Sequence, residues 1–493
     1  MVSLTDQIKR SGFWQALEVL VLVITQFVYF GVMARILEKS DYGLMAIANG
    51  FVALGMIFAE GGMGAALIQK QNALKSHSKA ALQGSILFSL CIVGLFYLMA
   101  PLIAAAFDQP MLAELVRVIA WNFVLLAIYS IPLSLLQKEM RFRHSAIVTI
   151  LASVIAYSFG IVLGYKGWGV WSLVGAVLLN SLLKMIGYLY LAPVRFSIKW
   201  YYSEWKELFS FGSGMILLKV NSYISKNGLI LLLGKIFSPG MLGVFERSYQ
   251  INNMPSNYLG QILIKIMFPA LSKLQDNEQR QFRLYDHGLG LSNSILMPLS
   301  LFLIYFSKEV VLIMLGEKWM DAVLPLQLLF VVMPFTISSR MTDALIRAKG
   351  LVYKNVSRKM IYAIILLVSC GFGGYYYGLG GAAVAVVFST LINYIMMVYL
   401  VKVVFKRSFY QVFYGPLKQG VLLTLKTGIL LLGYHFSYGM YNAPGVVPFL
   451  LFTTLSGIGV LIAGLRFPQF LGSYIKLTLD QVLGKYGFYK GSV

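Results

Sequence analysis

Apolar residues run along this chain in long blocks, and polar residues gather in short breaks between them. Fourteen blocks stand out, at about 11–36, 42–68, 79–106, 112–135, 144–165, 168–192, 207–233, 241–270, 284–306, 322–346, 358–377, 380–404, 416–438 and 446–466. A helix that crosses bilayer hydrocarbon needs about 20 mostly apolar residues, so each block reads as one span. Breakers mark several of the gaps: "FDQP" from 107, "YKGWG" from 165, "FSPG" from 237 and "YYYGLGG" from 375. The pattern predicts an all-α integral membrane protein with about fourteen transmembrane helices and no soluble domain between them. Residues 467–493 mix apolar and aromatic residues with lysines, as a cytoplasmic amphipathic tail lying on the membrane does.

Composition agrees with this reading. Of 493 residues, 58% are hydrophobic and 12% charged, against about a quarter charged in soluble proteins. The net charge of +22 does not point to nucleic acid, because the basic residues are distributed by side. Of 41 Lys and Arg, 27 fall in the loops of one side, six in those of the other and eight inside spans. The basic side is cytoplasmic by the positive-inside rule, which puts both termini in the cytoplasm. The opening "MVSLTDQIKRSGFWQ" has no small-residue cleavage site before the first block. Cys91 and Cys370 both sit in apolar runs and read as packing residues, without a disulfide framework or a metal site.

The chain also repeats itself. "RILEKSDYGLMAI" (35–47) returns as "KIFSPGMLGVFER" (235–247), pairing Arg35 with Lys235, Ile36 with Ile236, Leu37 with Phe237 and Gly43 with Gly243. Gly12 and Gly212 keep the same offset. The two segments follow spans one and seven, which run in the same direction, so the repeat unit is six spans. A parallel repeat implies two lobes related by an axis along the membrane normal, with a central cavity. The expected organisation is a six-helix lobe at 1–192, a second at 193–404, two further spans at 405–466 and the tail. Gly43 and Gly243 are expected where the chain reverses tightly at the outer surface. A chance match between two membrane hairpins is the alternative.

Three segments carry a family resemblance. They are "ARILEKSDYGLMAIANGFVALGMIFAEGGMGAALIQK" (34–70), "LGVFERSYQINNMPSNYLGQILIKIMFPALSKLQDN" (242–277) and "VVLIMLGEKWMDAVLPLQLL" (310–329). The chain resembles the polysaccharide transporter family of the multidrug/oligosaccharidyl-lipid/polysaccharide exporter superfamily over most of residues 10 to 400. That resemblance implies a fourteen-helix, two-lobed flippase of the bacterial cytoplasmic membrane. It would move undecaprenyl-diphosphate-linked oligosaccharide repeat units to the outer leaflet by alternating access. It also implies membrane lipids, a polysaccharide polymerase and export machinery as partners.

Moving a diphosphate and its sugars through hydrocarbon requires polar side chains within spans, and each intramembrane charge asks for an explanation. In span eight, Glu246, Gln250, Asn253, Asn257 and Gln261 recur at spacings of four, three, four and four, one polar stripe on a helix. Lys265 lies at its edge, and Pro255 is expected to kink the helix. Span seven adds Lys219 and Lys226 on one face, with Ser222 and Tyr223 between them. Lys219, Lys226 and Arg247 are candidate diphosphate ligands. Glu246, Gln250, Asn253 and Asn257 are candidates for sugars. A polar seam between helices is the structural alternative. Arg117, Lys184 and Arg340 lie near span ends, where snorkelling is as good an account as substrate contact. Arg340, Asp343 and Arg347 share a face suited to mutual pairing.

Glu18 and Glu60 lie about 10–12 Å from the inner ends of spans one and two. Two carboxylates at matched depth suit coupling to a proton or sodium ion, and pairing with a base of another helix is the other reading. "GGMG" after Glu60 suits close helix approach. No cofactor is expected. "GLILLLGKI" (228–236) has the wrong spacing for a phosphate loop and Ile236 where Ser or Thr must hold magnesium. The external loops are short and the histidines at 77, 144, 287 and 435 are scattered, which argues against an enzyme. A cation-coupled multidrug antiporter is the alternative function, but bases outnumber acids in the proposed wall. A membrane scaffold would not need the polar stripe.

Overall fold

The computed structural model describes residues 4–70, 75–194, 197 and 199–439. The first half contains α1 (Leu4–Ile36), α2 (Lys39–Glu60), α3 (Met63–Gln69), α4 (Lys75–Ala106), α5 (Met111–Lys138), α6 (Phe142–Tyr165), α7 (Val170–Leu191) and α8 (Tyr202–Ile236). Then come α9 (Pro239–Lys273), α10 (Glu278–Tyr305), α11 (Ser307–Met314), a 3₁₀ turn (Glu317–Ala322), α12 (Val323–Val331), α13 (Met333–Ala348), α14 (Val352–Phe405) and α15 (Phe409–Gly439). No strand occurs among the described residues. The apolar blocks through 416–438 fall on helix apart from breaks such as Gly61–Gly62 and Val332, while 446–466 and the tail lie outside the described residues.

Large apolar side chains point outward: Leu98 is 77% exposed, Leu102 and Val368 68% and Ile429 69%. Water would not tolerate such contiguous surface, and the chain is a multi-pass membrane protein. Among the described residues, eight helices are long and apolar enough to span, or nine if α12 and α13 with the preceding turn form one bent span. The polar residues of α9 explain why it does not qualify on apolarity, although it is 35 residues long.

The chain divides into two compact units at Glu246/Arg247, within α9. In the first unit α4 packs on α5, α6 on α7, and α1 on α6, while α8 packs against α2, α3 and α4. Met63, Leu67, Leu82, Ile131 and Leu208 bury together there. Nearby, Glu207 pairs with Lys70, and with His77 at 3.5 Å. Gln83 donates to the carbonyls of Ser197 and Lys199, the latter at 2.8 Å. Just outside the apolar block, the Glu204 carboxyl is held below its ordinary range, first by backbone hydrogen bonding and then by Ser76. In the second unit α10 packs on α15 and α13, and α14 on α12 and α13, around Met267, Leu271, Tyr285, Leu289 and Met341.

Gly43 and Gly243 are not turn residues. The reversals are made at Leu37–Glu38 and Phe237–Ser238, and both glycines lie inside the first turns of α2 and α9. Neither has a positive φ. Their reason is proximity. A Cβ on Gly43 would lie 1.8 Å from the Pro239 carbonyl oxygen, and one on Gly243 would lie 2.0 Å from that of Lys39. The first turns of α2 and α9 therefore cross backbone to backbone. Asp41 fixes this corner. Its Oδ2 accepts the Glu38 N–H at 3.0 Å, closing a capping box, and its Oδ1 accepts the Val170 N–H at the start of α7 at 3.0 Å.

Other breakers act as breaks. Gly61 and Gly62 (φ +58° and +68°) interrupt block 42–68 between α2 and α3, and Gly64 serves close approach, its Cβ position being 2.6 Å from Ser134 Oγ. Gly378 (φ 59°, ψ −143°) divides α14 into two arms. α9 continues as helix through Pro255. Cys370 is buried, whereas Cys91 faces outward and does not pack in the core.

Candidate functional site

The polar stripe of α9 is a partly buried face. Glu246, Arg247, Gln250 and Asn253 are half-buried and Asn257 is exposed. A second polar row, invisible to the stripe pattern, runs along another face: Ser248, Asn252 and Ser256 are 0%, 3% and 0% exposed. Ser248 Oγ donates to the Ala322 carbonyl at 3.3 Å, so this row packs inward and the stripe is the less buried of the two. Among the described residues nothing donates to Gln250 Oε1 or Asn252 Oδ1, although both atoms are buried. Buried acceptors without donors are costly in a finished core and are suited to bound water or a ligand hydroxyl.

One cation joins this face from another helix. Arg340 of α13 donates from Nη1 to the Ser256 carbonyl at 2.8 Å and from Nη2 to Asn257 Oδ1 at 2.7 Å. Gly260 makes room for it, since a Cβ there would lie 2.9 Å from Arg340 Cδ. Arg340 does not form the expected pairs with Asp343 and Arg347. Asp343 is taken by α14, pairing with Arg358 at 2.9 Å and Lys359 at 3.0 Å. Arg358 is 8% exposed and also holds Asn355 (3.2 and 2.9 Å) and Asn393. Arg347 donates to its own helix at the Asp343 carbonyl, 3.2 Å away, and lies over the Phe268 ring. The guanidinium of Arg340 therefore rests on two neutral acceptors, with the nearby carboxylate committed elsewhere.

The remaining candidates separate. Lys219 and Lys226 lie on α8, but their side chains, like those of Gln261 and Lys265, are outside the described residues. Between them Tyr223 donates to the Gly50 carbonyl at 2.8 Å, tying α8 to α2. Glu18 faces α6 and α7, where it lies within electrostatic reach of Thr149 and Lys184. Thr149 also meets the Tyr188 hydroxyl at 2.7 Å. Lys184 is the base of another helix that sequence reasoning left open. Glu60 ends α2, with its side chain outside the described residues. α1 packs on α6, while α2 packs on α5, α8 and α4.

Comparison with known proteins fits this architecture. The chain is 23% identical over 451 residues to the teichuronic acid biosynthesis protein TuaB of Bacillus subtilis, covering 89% of this chain and 92% of that protein. It is 22% identical to the lipopolysaccharide biosynthesis protein WzxC of Escherichia coli, covering 83% and 84%. Among solved structures, the lipid II flippase MurJ in an inward closed conformation superposes with a TM-score of 0.65 at 16% identity, over 90% of this chain and 98% of that one. An inward-facing multidrug resistance MATE family transporter superposes at 0.63 and 16%, over 78% and 94%. These two likenesses establish a shared fold. Residues 32–324 match the family described as polysaccharide biosynthesis protein, and the chain belongs to that family.

Proposed function

We propose that this chain is a flippase of the bacterial cytoplasmic membrane. It carries undecaprenyl-diphosphate-linked saccharide repeat units from the cytoplasmic to the outer leaflet for surface polysaccharide synthesis. The observation that carries this reading is Arg340, held by neutral acceptors on the polar face of α9. An intramembrane cation costs about 2.5–3.5 kcal/mol on insertion scales, and a diphosphate is an anion that offsets that cost. Gln250, Asn253 and Asn257 present amides to the attached sugars. Lys219, Lys226 and Arg247 supply further positive charge, each charge-assisted hydrogen bond being worth about 1.5–3 kcal/mol. The biosynthetic names of TuaB and WzxC, and the substrate named for MurJ, support this substrate class.

The six-span repeat supports alternating access of two lobes, 1–192 and 193–404, and the basic loops support cytoplasmic termini. The chain acts as a transporter rather than an enzyme, with a polymerase and export machinery as functional partners. Coupling to a proton or sodium ion would use Glu18, whose neighbours are Thr149 and Lys184. The likeness to a multidrug transporter keeps a cation antiporter as the second reading. The test is complementation of a strain lacking this protein. Arg340→Ala, and separately Lys219→Ala/Lys226→Ala, should abolish surface polymer at normal membrane levels while lipid-linked repeat units accumulate inside. Full export by these variants, or dye export by the wild type with surface polymer unaffected, would contradict the proposal.

A further inference from the structure

We infer that an anionic glycerophospholipid binds in a pocket between the basic ends of α10 and α15. The pocket is open, with a volume of about 470 Å³, and Phe282, Arg283, Asp286, Arg407, Tyr410 and Tyr414 line it. Arg407 stands in the turn between α14 and α15, after Lys406 at φ +49°. Its backbone N–H bonds the Lys402 carbonyl at 3.2 Å, and its guanidinium lies 5.3 Å above the Phe282 ring. Stacking thus orients the cation without neutralising it. Among the described residues no carboxylate comes within ion-pair distance of Arg283 or Arg407. Basic pockets between transmembrane helices suit anionic lipid headgroups.

The surface next to the pocket explains why the ligand is a lipid and not a free anion. Tyr410, Tyr414, Lys418, Val421, Leu425 and Ile429 recur at helical spacing along one face of α15. All are exposed, Tyr410 66%, Leu425 61% and Ile429 69%. The Tyr410 and Tyr414 rings stack at 5.1 Å. The face therefore runs from aromatic, through a third cation, to purely apolar. At 1.5 Å per residue the stretch from Lys418 to Ile429 is about 16 Å long. That is half of a hydrocarbon core roughly 30 Å thick, the depth of one leaflet. Phosphate at Arg283 and Arg407, glycerol beside Tyr414, and acyl chains along Val421, Leu425 and Ile429 fit this order.

The test uses the full chain in neutral detergent, melted with phosphatidylglycerol, phosphatidylcholine or inorganic diphosphate. Phosphatidylglycerol should raise the melting temperature while the other two leave it unchanged, as linkage requires of a ligand that binds only the folded state. Arg283→Ala/Arg407→Ala should weaken the response at least tenfold, and Lys206→Ala/Lys273→Ala, basic but outside the pocket, should retain it. Should the double variant fail to fold, Arg283→Gln alone must reduce the response, its side chain being exposed. An equal response to phosphatidylcholine, an unchanged response in the Arg283 and Arg407 variants, or reproduction by diphosphate alone would overturn the inference.

Discussion

Replacing Gly43 by alanine tests the close crossing of α2 and α9. The added methyl would sit 1.8 Å from the Pro239 carbonyl oxygen. A relaxed carbon–oxygen contact is about 3.3 Å, so the two helix starts must part by about 1.5 Å. The obstacle is backbone, so no rotamer change relieves it. Overpacking of this kind costs about 1–3 kcal/mol. The helix preference for Ala over Gly returns about 0.5–1 kcal/mol, leaving a net loss near 1–2 kcal/mol. At about 2–4 °C per kcal/mol for a unit of this size, the melting temperature should fall by roughly 2–8 °C. Gly243→Ala should cost a similar amount, because its methyl meets the Lys39 carbonyl at 2.0 Å. The double variant should cost less than the sum, since one separation relieves both contacts. Gly12→Ala is the control: nothing lies within 4 Å of its Cβ position, and the substitution should be neutral or stabilising. The readout is thermal melting of purified protein by fluorescence-detected size exclusion. Melting of both single variants within about 1 °C of wild type, well inside the expected fall, would refute the close crossing.

Three further outcomes are expected. Asp343→Asn leaves Arg358 buried without its carboxylate and should cost about 3–5 kcal/mol, whereas Lys359→Ala, at a 43% exposed side chain, should cost under about 1 kcal/mol. Membrane protein levels of the two variants check this, and equal levels would argue against the buried pair. With cytoplasmic termini, a cysteine at exposed Ser40 should react with an impermeant thiol reagent in spheroplasts and one at exposed Lys75 should not; reversed labelling inverts the orientation. Glu18→Gln should shift the pH or sodium dependence of export if Glu18 couples to an ion, and unchanged dependence would leave it a structural partner of Thr149 and Lys184.

Helix positions were legible because an apolar block is a local property, and the described blocks lie on helix apart from breaks such as Gly61–Gly62 and Val332. The role of Gly43 and Gly243 was not legible. A glycine required for positive φ and one required for close backbone approach are identical in sequence, and Gly43 belongs to the second kind. The stripe of Gln250, Asn253 and Asn257 was readable from its period. The buried row of Ser248, Asn252 and Ser256 was not, since α9 is polar on more than one face and only packing shows which face is the less buried. Asp343 could be matched from sequence to Arg340 and Arg347 on its own helix. Its partners Arg358 and Lys359 lie beyond a turn, and the choice among bases is made by tertiary geometry. The same holds for Glu18 and Lys184, which lie on α1 and α7.

Translocation itself is best measured in proteoliposomes that contain the purified protein and a polyprenyl-diphosphate-linked saccharide in both leaflets. An impermeant oxidant added outside reacts only with sugars of the outer leaflet. With the wild type, all of the saccharide should become reactive with time, because inner-leaflet molecules are carried out. Arg340→Ala vesicles should stop at the share initially outside. Wild-type vesicles that also stop at that share, across pH and sodium gradients of either sign, would contradict flippase activity.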